Sequence, residues 1–315
     1  MKIVFMGTPN FALPSLRRLL NNGHQIQLLV TRPDRPKGRG QKVAPPPPKE
    51  LAMSQGIPVE QPTDLRNPYF YKLLKSLQPE VIVVVAYGKF LPQELLDLPP
   101  YGGINLHASL LPKYRGASPV NWAVINGERE TGVTTTKINA EMDAGDILLA
   151  RRVAIGPTET AEELGERLSI IGAKLLSETL TRVQESRLPP CPQDHSQATF
   201  APRLKKEDGK IDWGKGAIQT FNAIRGLVPW PGAYSTFRGK KVIFWRGELC
   251  EAPAGKELPV GVAGEIVALD KRGIVIQCGD GVHLMVTGLQ PESRRQMRAV
   301  DFVNGYRVKL GERFG

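Results

Sequence analysis

The apolar positions of this 315-residue chain change rhythm part-way along it, and the change divides the molecule. Ile3, Val4, Phe5 and Met6 form an unbroken apolar run, which predicts a short buried strand. Gly7-Thr8-Pro9 turns out of it. Phe11, Leu13, Leu16, Leu19 and Leu20 then recur at helical spacing up to Gly23. Residues 25–30 read as the next strand, and residues 49–55 and 67–77 as helices, the second with Tyr71, Leu74 and Leu77 on its apolar side. Val81-Ile82-Val83-Val84-Val85-Ala86 is a continuous run of mostly β-branched residues, the pattern of a central parallel strand covered on both faces. In Gly103-Ile104-Asn105-Leu106-His107 polar and apolar residues alternate, so Asn105 and His107 share one face of a predicted strand.

Ser118-Pro119 predicts the cap and first residue of a helix through Asn126. Strands follow at 131–138 and 147–155. Thr160-Ala161-Glu162-Glu163 is a capping box that opens a long helix through about Gln184. Strands alternating with helices predict an α/β domain with a doubly wound, mostly parallel sheet over residues 1–188. The opening strand–turn–helix invites comparison with dinucleotide binders. Only Gly7 of their glycine pattern is present and Pro9 follows, which excludes a nicotinamide or flavin cofactor. Residues 189–202 are rich in proline and read as a linker. Beyond them a helix at 213–226 precedes short alternating runs at 233–237, 241–246, 264–268, 273–278 and 282–289. Glycine and aspartate punctuate these runs, which predicts a small β-barrel domain over 203–315.

Composition narrows the setting. No run of about 18 apolar residues is present, so no membrane span is expected. Met1-Lys2-Ile3-Val4-Phe5 enters a strand pattern at once and lacks the parts of a signal peptide. Cys191, Cys250 and Cys278 are few, odd in number and far apart, which suits a reducing compartment, and the cytoplasm is the expected location. The only histidines, at 24, 107, 195 and 283, show no metal-ligand spacing, so no metal is expected. The formal net charge is +11, of which +4 lies in residues 1–202 and +7 in residues 203–315. Such a balance fits a polyanionic partner, nucleic acid first, and also an ordinary basic protein.

The stretch from Thr31 to Pro48 carries too many prolines and glycines for regular structure to be expected. It holds Arg32, Arg35, Lys37, Arg39 and Lys42 against Asp34 alone. A basic loop of this kind can close on a phosphate backbone, or it can be a solvated linker. Candidate chemistry lies further on. An amide donor and an imidazole at one strand end, Asn105 and His107, can hold the oxygen of a carbonyl under attack. Asp143, in a glycine-containing loop, can orient the histidine or hold its charge. No cysteine lies near this stretch and no Ser-His-Asp arrangement is readable, so a covalent nucleophile is not expected.

The string Asn105-Leu106-His107-Ala108-Ser109-Leu110-Leu111-Pro112-Lys113-Tyr114-Arg115-Gly116, followed by Asp143-Ala144-Gly145-Asp146, resembles the formyltransferase family that uses 10-formyltetrahydrofolate. The resemblance extends over nearly the whole chain. It implies a Rossmann-like formyltransferase domain followed by an OB-like barrel that binds tRNA. It implies Asn105, His107 and Asp143 as the catalytic trio, with Ser109, Leu110, Leu111, Pro112, Tyr87 and Gly88 contacting the folate. Arg35, Lys37, Arg39, Lys42, Lys205 and Lys206 are then candidates for RNA contact, with Arg39 matching an arginine that wedges into a tRNA acceptor end. The expected reaction moves a formyl group onto the α-amine of methionine carried by initiator tRNA, performed by a monomer. Two alternatives stand beside it: formyl transfer to another amine, such as a ribonucleotide or an amino sugar, and an RNA-binding protein that kept the fold without the activity.

Overall fold

The computed structural model describes residues 1–37, 42–250 and 260–315. They fall into two compact units, one of residues 1–119, 130–154 and 165–202, the other of residues 120–129, 155–164 and 203–315.

The first unit is built on β1 (Lys2–Gly7), α1 (Leu13–Asn21), β2 (Gln25–Val30), β3 (Arg35–Lys37), β4 (Lys42–Ala44), α2 (Pro47–Ser54), β5 (Val59–Glu60), α3 (Pro68–Leu77), β6 (Val81–Val85), α4 (Gln93–Leu96) and β7 (Gly103–His107). After α5 (Pro119–Ile125) the chain returns to it with β8 (Glu130–Lys137) and β9 (Ile147–Ala154), then runs into α6 (Ala161–Gln184). Seven strands form one sheet in the order β5-β2-β1-β6-β7-β8-β9. The first five are parallel, and β8 and β9 add antiparallel to the edge of β7. The apolar run of β1 is explained by its place: Ile3, Val4, Phe5 and Met6 are all fully buried between β2 and β6. Val4, Met6, Ile82 and Val84 pack with Phe70 and Leu74 of α3 on one face. This doubly wound, mostly parallel arrangement is the one the strand and helix pattern predicts.

Two features of this unit differ from the sequence reading. Residues 35–44, expected to be irregular, begin and end as an antiparallel hairpin in which Arg35 pairs with Ala44 and Pro36 with Val43. Pro36 is tolerated because the pair has no third strand, so its missing N–H breaks no ladder on the open side. The hairpin's base is pinned by charge: Lys49 Nζ donates to both Asp34 oxygens, at 2.8 and 2.9 Å, and Gln61 Nε2 bonds Asp34 Oδ1 and Arg32 O. The Lys49 hydrogen bond, followed by that of Gln61, holds the Asp34 carboxyl below its ordinary range. The second difference concerns the proline-rich stretch 189–202. Cys191 forms an isolated bridge with Ile147, and Phe200 one with Arg115, so its backbone amides are spent on the first unit.

The second unit is an antiparallel sheet of β10 (Ala233–Phe237), β11 (Lys240–Cys250), β12 (Ile266–Leu269), β13 (Ile274–Gln277), β14 (His283–Pro291) and β15 (Met297–Arg298), with α7 (Ala217–Gly226) and α8 (Ala299–Tyr306). The antiparallel order is β10-β11-β14-β13-β12, with β15 on β14. Its core is aromatic: Trp213 meets the ring of Phe244 edge-on at 5.5 Å, and Phe314 sits 5.2 Å from both Phe237 and Phe244. The helix expected from 213 starts at Ala217, because Trp213 is drawn into that core and the Ala217 N–H is capped by Asp280 Oδ2 at 3.0 Å. Arg225, buried on α7, donates to the carbonyls of Gly156 and Glu159 and to Asn222 Oδ1. That leaves the turn before α6 tied down, where Thr160 and Glu163 form the predicted capping box.

Candidate active site

Strand β7 carries the site because its side chains alternate. Asn105 and His107 project from one face, and the loop between β8 and β9 brings Asp143 to meet them. Asn105 Nδ2 donates to Asp143 Oδ1 at 3.3 Å, and His107 Nδ1 stands 3.6 Å from the same oxygen. The other carboxylate oxygen, Oδ2, accepts from the Gly116 N–H at 2.9 Å. His107 is nearly buried, and its Nε2 donates to the Tyr114 carbonyl at 2.9 Å. A carbonyl can only accept, so that bond fixes a hydrogen on Nε2 and leaves Nδ1 as the nitrogen that faces Asp143. Asn105 Nδ2 and His107 Nδ1 thus face one oxygen of Asp143.

The loops are built for close approach. Asp143 itself takes a left-handed backbone, φ +51°, and two residues on a β-carbon at Gly145 would strike the Lys137 carbonyl. Gly116 has φ +121°, and a β-carbon there would lie 2.7 Å from the Ala201 carbonyl. Ala201 N donates to Arg115 O at 2.7 Å and Arg115 N to Thr199 O at 2.8 Å, so residues 199–201 run alongside the loop that presents Tyr114 and Gly116. The Thr134 hydroxyl, on β8, donates to Ser109 O at 2.7 Å and accepts from Leu111 N at 3.2 Å, fixing the other end of that loop.

Several positions expected to touch a folate are enclosed by the protein itself. Ser109 is fully buried and its hydroxyl donates to Lys113 O at 2.6 Å. Leu111 is buried, while Leu110 and Pro112 are half-buried. The Tyr87 ring lies in the core of the first unit, and burial pushes its hydroxyl up to about 12, opposed by the charge of Arg32. What Tyr87 and Gly88 have to offer a ligand is backbone, and Arg32 already donates to both of their carbonyls. Beside them the loops after β5 and β6, with Ala140, surround a cleft of about 590 Å³ lined by Arg66, Lys89, Phe90 and Leu91 among others. Lys89 Nζ donates to the carbonyls of Pro62 and Thr63, and burial, then the charge of Arg32, pulls its ammonium below the ordinary lysine range.

Arg35 is exposed on β3, the backbones of Lys37 and Lys42 end the two hairpin strands, and Arg39 lies outside the described residues. Lys205 and Lys206 are exposed in the second unit. Among the described residues no group of three His, Cys, Asp or Glu side chains could hold a metal ion.

A family model described as formyl transferase matches residues 1–180, and one described as the C-terminal domain of formyl transferase matches residues 203–307. The chain belongs to the formyl transferase family. Curated relatives share that identity along their full length. A methionyl-tRNA formyltransferase of Geobacter metallireducens is 47% identical over 315 residues, covering 100% of this chain and 99% of its own. One of Moorella thermoacetica is also 47% identical, with the same coverage of both chains. Among solved structures, an N-formyltransferase from Helicobacter canadensis, in complex with folinic acid and dTDP-3-aminofucose, aligns with a TM-score of 0.68 at 18% identity, covering 91% of this chain and 98% of its own. That likeness bears on the fold.

The family motif identifies Asn105, His107 and Asp143 as a group but not what holds them. The Tyr114 carbonyl, the Gly116 N–H and the Thr134 hydroxyl are supplied by residue types that carry no signal of their own. Arg115 stands in the family string with no role assigned to it, and Gln193 lies outside that string; both are buried and polar. A buried charge needs partners, but burial is visible only after folding.

Proposed function

We propose that this chain transfers the formyl group of 10-formyltetrahydrofolate to the α-amine of methionine esterified to initiator tRNA. The observation that carries the reading is the convergence of Asn105 Nδ2 and His107 Nδ1 on Asp143 Oδ1 in a chain of this family. The attacking amine adds to the formyl carbon, and the carbonyl oxygen gains negative charge. Asn105 donates its amide hydrogen to that oxygen, and His107 donates from Nδ1, the nitrogen not spent on Tyr114. Asp143 holds the imidazolium that serves as donor and, directly or through a water, accepts the proton shed by the amine. Collapse of the adduct breaks the bond to the folate nitrogen, which leaves with a proton. Donors so aimed are worth roughly 10²–10³ in rate each.

The 590 Å³ cleft suits the formyl donor as substrate. Its size falls within the range of small-molecule sites, about 300–1,000 Å³, Phe90 offers an apolar surface, and Arg66 and Lys89 oppose a carboxylate. The hairpin of β3 and β4, with Arg35, Lys37 and Lys42 and with Arg39 between its strands, is the element we assign to the acceptor end of the RNA. Lys205 and Lys206 are assigned to its backbone. We assign the chain to the cytoplasm as a monomer; the free thiols of Cys191, Cys250 and Cys278 suit a reducing compartment. No helix among the described residues is long and apolar enough to cross a membrane.

The test is direct. The chain is incubated with methionyl-tRNA and 10-formyltetrahydrofolate, and the ester is hydrolysed and assayed for N-formylmethionine. Formylation of a dTDP-linked amino sugar in place of methionyl-tRNA would replace this reading with the amino-sugar one. Binding of tRNA without transfer to either would leave an RNA-binding protein.

A further inference from the structure

Gln193 comes from the proline-rich stretch, and its side chain is 5% exposed. Its amide is fully used. Nε2 donates to the backbone carbonyls of Asp143 at 2.9 Å and Gly145 at 2.7 Å. Oε1 accepts from Arg115, from Nε at 3.2 Å and Nη2 at 2.7 Å. Both hydrogens and both lone pairs are satisfied, and the opposite amide orientation would set N–H against N–H and carbonyl against carbonyl. Arg115, itself 6% exposed, also donates from Nη2 to His195 Nδ1 at 3.2 Å.

The contacts close a ring. Gln193 holds the backbone of Asp143, and the Asp143 carboxylate accepts from the N–H of Gly116. Gly116 follows Arg115, whose guanidinium returns to Gln193. The two loops that meet at the site are thus tied through one buried amide, at the residue whose backbone is left-handed. We infer that Gln193 is a positioning residue: it sets the carboxylate of Asp143 against Asn105 and His107, and Arg115 fixes the direction of the amide. This rests on the reading of Asp143 as a catalytic group. Misplacing a reacting group by about 1 Å can cost on the order of 10²-fold in rate, and that is the effect the ring prevents.

Two variants of the full chain test it. Gln193→Leu keeps most of the volume and removes all four hydrogen bonds. Gln193→Glu keeps the acceptor for Arg115 and removes only the two donations to the Asp143 loop. Each is expected to lower kcat by ~10-fold or more, with the KM for formyl-folate and for methionyl-tRNA within ~3-fold of the parent. Ile276→Val, in the core of the second unit, serves as the control for a general loss of stability and should keep kcat. The deciding measurement is the double variant. In an Asp143→Asn background, Gln193→Leu should cost less than ~2-fold further, because residues acting through one group are not additive. Multiplicative losses, a normal kcat, or an effect confined to KM would overturn the inference. A normal kcat for Asp143→Asn alone would overturn the reading beneath it, and a low kcat for Asp143→Asn beside a normal one for Gln193→Leu would overturn the inference alone.

Discussion

Asn105 Nδ2 and His107 Nδ1 both face Asp143 Oδ1, and this says what each residue can do. Asn105 donates without changing its charge. His107 has one nitrogen committed to Tyr114 O, so Nδ1 is the nitrogen left to substrate, and it donates when it carries a hydrogen. Removing a donor aimed at developing charge acts on the transition state more than on the ground state. Asn105→Ala, His107→Ala and Asp143→Asn are therefore expected to lower kcat by ~10² or more, with formyl-folate binding nearly unchanged. Steady-state kinetics beside a direct binding titration would check this, and near-normal kcat in all three would dismiss the mechanism. At this scale the meeting of Asn105, His107 and Asp143 was legible because a strand alternates its faces and the family string marks the positions. Gln193 was not, because it lies 50 residues from Asp143 in sequence and meets it only in space.

Elements show the same division between local and distant causes. The Thr160 box was legible because both of its bonds lie within four residues: Thr160 N donates to Glu163 Oε2 at 2.9 Å, and Glu163 N to Thr160 Oγ1 at 3.2 Å. The hairpin of β3 and β4 was missed, since proline and glycine counts hide a two-stranded pair that needs no third strand. The long helix gives a prediction with a definite sign. Thr160→Ala should cost about 1 kcal/mol of stability at neutral pH. The N–H of Thr160, then its hydroxyl, holds the Glu163 carboxyl below the ordinary glutamate range. A carboxyl lowered on folding stabilises the fold above its unfolded pKa, and that stability disappears as pH falls through the folded value. Glu163→Gln keeps the acceptor and removes the charge. The stability it loses against the parent should be present at neutral pH and shrink to nothing on acidification below the ordinary glutamate range, as read from urea midpoints across pH. A difference that stayed constant with pH would mean the charge of Glu163 does not contribute.

For the molecule as a whole, the sign and place of the charge were legible, and its availability was not. Residues 203–315 carry +7, and ion pairs engage some of the cations that make it up. Arg238 is paired with Glu312, Arg272 with Glu248, Arg298 with Asp301 and Arg246 with Glu163. Lys241 lies over the Tyr234 ring at 3.6 Å. Arg238 and Arg298 are thereby engaged within their own unit. Lys205 and Lys206 are exposed, just after the stretch that pairs with the loop of Tyr114 and Gly116. Each phosphate contact releases counterions, so a contact contributes roughly 0.7–0.9 to the slope of log affinity against log salt. The Lys205→Ala, Lys206→Ala double variant of the full chain should bind methionyl-tRNA more weakly and with a slope shallower by up to about twice that amount. Its kcat at saturating methionyl-tRNA and its affinity for formyl-folate should stay at the parent values, because these lysines contribute position and no chemistry. Binding followed from low to moderate salt decides the matter. An unchanged slope would remove Lys205 and Lys206 from the RNA contact and leave it to the hairpin and the remaining exposed cations, Lys240, Arg294 and Arg295 among them.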